Sequence, residues 1–468
     1  MKKLDKFKTY PFDDFLEESQ DDIWNSASIN YNKPLFDSLK IAGFANEYVV
    51  SAKDQYLYMS NGRTILDATC GFGVNFWGHN CNTAKKIEKS YRKKNLVNYV
   101  KTHPSASQHA LIHNLRAALP SGLDNFYFGA TGAESFDAAI KLAIKSKSAN
   151  KCGFLVARNG YHGKSLNSMP FSSFKKWNEG FSSGDRVIKF FDFGDIQSLT
   201  ESVEEFRSDN IGINSIVLET IQGGSQAIAS QEFFDLVMKV ARDYSSYVIL
   251  DEIKVGLLRT GKMFAFEHYE GLRPDILLIA KPLGMGICPI SVMACSAKTF
   301  NKAYPKLQDG SFHSSTFSYF GLSAAVASEF LHEAMQKDRQ SNIEFLASTL
   351  EESLNRIVNK FPNQVESVTG VGLFRGLKLR FHPIINNLLK MLPGYENLRS
   401  LFTLASVSFL YERGLLVYFS PTEPEILHIE PNVCFTSDDI KFIEEKLEEM
   451  LKDDWIGVFG IVKRLVKK

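Results

Sequence analysis

No window of this chain is apolar for long enough to cross a bilayer, and none of its six cysteines lies in a CxxC pair or at a cysteine–histidine spacing suited to zinc. The opening segment, MKKLDKFKTYPFDDFLEESQ, is basic at its start but has no apolar stretch behind it, so it does not read as a secretory signal. Reduced, mostly buried thiols and a cytoplasmic location are the expectation. Charge of one sign is also missing. With 54 Lys and Arg against 53 Asp and Glu the formal net charge is +1, which gives no footprint for a nucleic acid or other polyanion. Internal repeats and low-complexity tracts are absent as well, which excludes solenoids and disordered linkers.

What is present is the composition of an ordinary folded protein, 44% hydrophobic and 23% charged over 468 residues, long enough for two or three lobes. Residues 1–45 are polar and aromatic without clear periodicity and read as an extension packed on the body. Residues 46–80 hold short strand-like runs broken by glycine, the first part of a small domain. Residues 81–325 alternate. The apolar runs NFYFGA, KCGFLVARN, SIVLETI, YVILDEI and ILLIA are separated by helical stretches such as EFFDLVMKVARDYS. Buried strands alternating with helices predict an α/β domain with a mostly parallel sheet covered on both faces. Residues 326–450 change to long amphipathic helices with short strands (GLKLRF, LLVYFS, EILHIE), an α+β lobe completed by the N-terminal part. Residues 451–468 put Trp455, Phe459, Val462 and Val466 near one helical face beside Lys463, Arg464, Lys467 and Lys468. That pattern suits a packed basic helix or a contact with a membrane or carrier protein.

Ligands of such sheets bind beyond the carboxyl ends of the strands, so chemistry is sought there. Asp251 and Glu252 follow YVIL directly, and an acid after a buried strand needs a partner or a task. Lys281 follows LLIA in the middle of an apolar run, where a lysine is rare unless its amine is paired or used. Thr131-Gly132-Ala133 follows NFYFGA and opens a helix whose first-turn amides suit a phosphate. Each feature alone has a plain structural reading: a helix cap, a capping acid, a lysine reaching the surface. Together they match one cofactor, pyridoxal phosphate, which needs a Schiff-base lysine, an acid facing its pyridine nitrogen and an anion site.

The order of motifs resembles the class III, ornithine-aminotransferase-like branch of fold type I pyridoxal-phosphate enzymes, from about residue 48 to 450. ILDATCGFGVNFWGHN is similar to the family's glycine-rich segment and FGATGAESFDAAIKLA to its phosphate-binding turn and helix. NGYHGKSL resembles its Tyr-His-Gly motif, VLETIQGG its Glu-Pro-x-Gln-Gly segment, and the run from VILDEIKVG to LGMGICPI its signature block; HSSTFSYFGLSAAVA follows. The resemblance implies that Lys281 makes the imine link and then moves the substrate proton as base and acid in turn. It implies that Asp251 faces the pyridine nitrogen, that Tyr161 and Ile253 cover the two ring faces, and that Thr131 and Gly132 bind the phosphate. Thr316 would join them from the second subunit of a homodimer, and His162 would be architecture around the site.

Two departures bear on substrate. In relatives that are amino-acid transaminases, the Glu-Pro-x-Gln-Gly segment continues with a glutamate that gates a carboxylate-binding arginine. Here Gly224 follows Glu219-Thr220-Ile221-Gln222-Gly223, and His428, in EILHIEPNVCFTS, stands where the arginine is expected. A charge-assisted hydrogen bond to a carboxylate contributes roughly 1.5–3 kcal/mol, which a neutral histidine does not replace. An amine, aldehyde or ketone with an apolar body is therefore expected as the small-molecule donor or acceptor, with Phe72, Phe76, Trp77 and His428 near it. The competing reading gives the carboxylate to Arg375 or Arg380. Lys254 also departs, standing where relatives commonly carry a glutamine near the cofactor's phenolic oxygen, and Pro282 after the lysine is unusual. The leading expectation is an aminotransferase. Class III aminomutases, racemases and decarboxylases use the same groups, and a catalytically silent binding protein is the reading from a different class.

Overall fold

The computed structural model describes residues 9–452 apart from 17, 148–152, 175–177, 182, 319 and 381–394. The basic C-terminal segment expected to form a helix lies almost entirely outside the described residues. The N-terminal extension, which showed no periodicity, holds two helices, Gln20–Asn30 and Lys33–Ile41. Their starts are set by side chains: Ser19 accepts the amide of Asp22, and Asn32 accepts that of Leu35. The first helix is fastened to the body by Trp24 Nε1 donating to the carbonyl of Glu47 at 3.0 Å.

Strands β1 (Val49–Lys53), β2 (Tyr56–Met59) and β3 (Thr64–Asp67) form an antiparallel meander. The central sheet then takes β4 (Asn125–Gly129), β5 (Gly153–Ala157), β6 (Val187–Phe191), β7 (Ile213–Leu218), β8 (Tyr247–Asp251), β9 (Ile276–Ile279) and β10 (Ser291–Cys295). Its order is β4-β10-β9-β8-β7-β5-β6. β10 runs antiparallel to both neighbours, and every other neighbouring pair is parallel. β5, β7 and β9 are buried at every position, as strands covered on both faces must be. The covering helices bury a stripe. Helix Gln231–Asp243, capped by Ser230, turns Phe233, Phe234, Val237, Val240 and Ala241 inward at helical spacing. β6 and β10 were not among the apolar runs singled out in the sequence: VIKFF is only partly buried, and SVMAC, though buried throughout, opens on a serine and carries a single β-branched residue.

The C-terminal lobe adds β11 (Val365–Val371), β12 (Phe374–Leu379), β13 (Leu415–Leu416), β14 (Tyr418–Ser420) and β15 (Glu423–Ile429). LLVYFS, read as one strand, is two. β13 pairs in parallel with β3, joining the two ends of the chain, and β14 pairs with β15 in an antiparallel sheet ordered β11-β12-β15-β14. This switch of sheets carries Tyr418 and Ser420 to the mouth formed by the carboxyl ends of the central strands. No described helix is long and apolar enough to cross a membrane.

Candidate active site

Five parallel-running strands deliver side chains to one cleft. β4 ends at the turn Ala130-Thr131-Gly132, β5 leads to Tyr161 and His162, β7 to Glu219, β8 ends at Asp251, and β9 to Lys281. A cavity of about 490 Å³ is lined by Thr131, Gly132, Ala133, Tyr161, His162, Ile253 and Lys281, among others. A second of about 460 Å³ shares Tyr161, Lys164, Ile253 and Lys281 with it and adds Phe72, Glu219, Asp251, Gly223, Gly224, Lys254 and Tyr418–Thr422. They are two chambers of one cleft, and the residues predicted from strand ends meet there.

Asp251 and its neighbour Glu252 have different tasks. Glu252 is consumed by structure, accepting from Thr220 Oγ1 and from the amides of Ala265 and Phe266, all at 2.7 Å. Burial still pushes its carboxyl up to about 7. Asp251 faces the cleft. Its Oδ2 is 2.8 Å from His162 Nδ1, and its Oδ1 accepts the amide of Ile253 at 3.1 Å. His162 is itself held by near-parallel stacking on Phe136, centroids 4.9 Å apart, and its Nε2 has no hydrogen-bond partner among the described residues. Sequence reasoning set His162 aside as architecture, and its geometry makes it the orienting partner of Asp251.

At the turn after β4 the helix Gly132–Lys147 begins. Glu134 Oε2 accepts the amides of Ala130 and Thr131, at 2.6 and 2.9 Å, leaving those of Gly132 and Ala133 as first-turn donors with no carbonyl four residues behind them. Gly132 is required by close approach, since a Cβ there would lie 2.7 Å from Ile253 Cδ1. That contact seats Ile253 between the anion turn and Asp251. Thr316 is exposed and does not line the cleft of its own chain. Its neighbour Ser315 donates to Glu134 Oε1 at 3.2 Å, which ties the loop bearing Thr316 to the anion turn.

Lys281 begins a short 3-10 turn, Lys281–Gly284, with φ of +36° immediately before Pro282. A side chain in the left-handed region costs about 1–3 kcal/mol, strain of the kind found at functional sites. Burial, and after it the charge of Lys254, lower its ammonium to about 8. A neutral amine able to attack a carbonyl is thus accessible close to neutral pH. Glu219 accepts from the amides of Tyr161 and Gly223, at 3.2 and 3.1 Å, and burial pushes it up to about 7.

Several expected substrate contacts lie elsewhere. Phe76 and Trp77 are in the hydrophobic core, 0% and 3% exposed, and line neither chamber. Phe76 packs under the Arg259 guanidinium at 4.1 Å, while Trp77 Nε1 donates to Glu333 at 2.6 Å. Only Phe72 of that cluster reaches the cleft, edge-on to Tyr418 with centroids 4.7 Å apart. The segment winds through positive φ at Cys70, Gly71, Phe72 and Gly73, which alternates its side chains between core and cleft in a way residue type does not reveal. His428 is wholly buried behind Tyr418, stacked on it at 4.6 Å. Arg375 is paired with Glu351 at 2.7 Å and donates to the carbonyl of Gly370, and neither it nor Arg380 lines the cleft.

Sequence reasoning missed a buried polar knot beside the second chamber. Lys254 Nζ donates to Tyr418 Oη at 2.6 Å and to the carbonyl of Gly223 at 2.8 Å, and sits 3.2 Å from Glu430 Oε1. Tyr418 Oη donates to the same Glu430 oxygen, which is also 2.9 Å from His428 Nδ1. Burial alone would raise the Glu430 carboxyl; the Lys254 ammonium and His428 hold it well below the usual range. Burial lowers His428 and raises Tyr418. One signal was available: Glu430 stands two residues after His428, the spacing that puts two side chains on one face of an extended segment.

The profile of the aminotransferase class-III family matches residues 44–451. The chain is similar to putrescine aminotransferase of Pectobacterium atrosepticum, 27% identical over 396 residues, covering 84% of this chain and 80% of that protein. It is 29% identical over 331 residues to aminotransferase PigE of a Serratia strain, where the match covers 70% of this chain but spans only 38% of PigE's length. Its fold matches that of ornithine aminotransferase from Toxoplasma gondii, a structure with pyridoxal phosphate at partial occupancy in the active site. The TM-score is 0.77 at 20% identity, covering 98% of each chain.

Proposed function

The chain belongs to the class-III aminotransferase family, whose members use pyridoxal phosphate to move amino groups, and we propose that it transfers the amino group of a donor amine or amino acid to an aldehyde or ketone without an arginine clamp on a substrate carboxylate. The residues present suit the cofactor. The cleft combines a strand-end carboxylate backed by a histidine, a helix start with free first-turn amides, and a lysine of lowered basicity. Asp251 would hold the pyridine nitrogen, Tyr161 and Ile253 the ring faces, Thr131 and Gly132 the phosphate, and Lys281 the aldehyde carbon. Bound there, pyridoxal phosphate supplies the conjugated ring that accepts the electron pair left when the substrate Cα loses its proton.

The protein's own part is placement and proton movement. Lys281 Nζ, whose burial favours the neutral amine, would take the proton from the substrate carbon and give it back in the following step, acting as base and then acid. Asp251, kept in position by His162 and the Ile253 amide, would face the ring nitrogen and hold its proton. Tyr161 and Ile253 exclude water from the two faces. Thr316 suits a role in the partner subunit's phosphate site, since it is exposed and held next to its own chain's anion turn through Ser315. Dimerisation would then complete both sites.

The observation that carries the substrate assignment is His428. At the position where relatives place the carboxylate-binding arginine stands a buried imidazole that donates from Nε2 to the carbonyl of Gly224 at 2.9 Å. The similarity to putrescine aminotransferase agrees with a donor of this kind. The test is the visible spectrum of the holoenzyme titrated with primary amines and α-amino acids. Bleaching of the cofactor band by amines that lack a carboxylate supports the assignment; bleaching by α-amino acids alone overturns it while leaving the amino-transfer function intact.

A further inference from the structure

The dipeptide Gly223-Gly224 forms part of the wall of the second chamber, and it is held from four directions. The Gly223 carbonyl takes Lys254 Nζ at 2.8 Å, and the Gly224 carbonyl takes His428 Nε2 at 2.9 Å. The Gly223 amide donates to Glu219. Against the Gly224 Cα stands the turn after β14, so close that a Cβ would lie 2.5 Å from Thr422 Oγ1 and 3.0 Å from Ser420 Oγ.

Two donors of the Lys254 ammonium go to Gly223 and Tyr418, and the Glu430 carboxylate lies 3.2 Å from it. Its charge is answered inside the wall. The carbonyls of both glycines are likewise consumed, so beside Lys254, whose charge Glu430 balances, and Tyr418, bonded to both, this wall offers the chamber the hydroxyl pair of Ser420 and Thr422, 2.7 Å apart.

We infer that Lys254 and His428 are positioning residues that pin the two glycine carbonyls and thereby hold this wall closed and without net charge, selecting substrates whose end remote from the reacting nitrogen is neutral. The inference rests on the proposed function above. It reassigns His428 from substrate contact to support of the wall that substrate meets.

The half-reaction of the full-length holoenzyme tests it without knowledge of the acceptor. n-Butylamine and 4-aminobutyrate have the same chain length and differ at the far end. Wild type is expected to bleach with n-butylamine at the lower half-saturating concentration. His428→Ala is expected to raise that concentration about tenfold, the share carried by its hydrogen bond to the Gly224 carbonyl, with the limiting rate changed less than about threefold. It should also speed hydrogen exchange at the amides of residues 223–225. His428→Gln, which can still donate to the Gly224 carbonyl, is expected to stay near wild type in both measurements. Should His428→Ala not fold, Lys254→Met combined with Glu430→Gln removes the other pin without leaving a lone buried charge, and the same two changes are expected. Unchanged exchange and half-saturation in whichever variant folds overturns the pin. Preference of the wild type for 4-aminobutyrate overturns instead the substrate assignment on which it stands.

Discussion

The floor of the cleft and its Gly223-Gly224 wall are built by different rules. Every floor group, from the Thr131 turn through Asp251 to Lys281, sits within a few residues of the end of a central strand, so its position follows from the topology of the sheet. The wall is assembled from residues distant in sequence: Lys254 from the loop after β8, Gly223 and Gly224 from the loop after β7, Tyr418 and His428 from the C-terminal lobe. The floor supplies chemistry common to the family, whereas the wall departs from the family's pattern at Lys254, Gly224 and His428. On the proposed function, reaction and substrate choice would be carried by separable parts of the molecule.

Lys281→Ala gives the sharpest break of this division. Removing the amine proposed to move the proton should cost on the order of 10³-fold or more in amino transfer, and it should alter the visible cofactor band. Retention of both would mean that the floor is not where the chemistry happens. The wall answers to stability instead. Lys254→Met leaves Glu430 buried without its cation, which costs about 3–5 kcal/mol. Urea unfolding should register this loss, and Lys254→Met with Glu430→Gln should recover most of it. Equal losses in the single and double variants would show that the two charges are not coupled.

A milder perturbation isolates shape from charge. Gly224→Ala adds only a Cβ, which the 2.5 Å approach of Thr422 Oγ1 does not accommodate without a shift of that side chain or of the turn that carries it. Overpacking of this kind costs about 1–3 kcal/mol. Combining it with Thr422→Gly should restore stability, and if it does not, the hairpin is not what presses on Gly224.

The same division decides what could be read from the sequence. The alternation of buried runs and helices was enough for the central sheet, and the residues after YVIL, LLIA and NFYFGA for the floor. β6 escaped because a half-buried strand such as VIKFF lacks the continuous apolar signature of β7 or β9. Phe76 and Trp77 were expected at the substrate mouth because aromatic type does not say which way a segment of positive φ turns its side chains. LLVYFS reads as one strand because nothing local marks that its halves pair with different partners. Lys254 was noticed as a departure, but whether it faced cofactor or solvent could not be read. It lines the second chamber with its ammonium drawn to Glu430 and Tyr418, which the C-terminal lobe brings in.

The smallest predicted effect lies where floor and wall touch, in the titration of Lys281. Burial disfavours its charged form, and the nearby Lys254 ammonium adds to this, so it loses its proton at about 8 rather than at the lysine's ordinary 10.5. Below that pH the amine is protonated and cannot attack an aldehyde. The rate at which cofactor-free protein develops the yellow band on addition of pyridoxal phosphate should therefore rise with pH and level off above about 8. In Lys254→Met the midpoint should move upward, because one cation opposing the charged form is gone. The folded state also binds fewer protons at this site than the unfolded chain does between those two values, so at pH 7 the group opposes folding, and that cost fades as pH rises through the window. Cofactor-free Lys281→Met should accordingly melt above cofactor-free wild type at pH 7, with the gap narrowing toward pH 10. A gap that is absent or that widens would mean that the basicity of Lys281 is not depressed by its position between floor and wall.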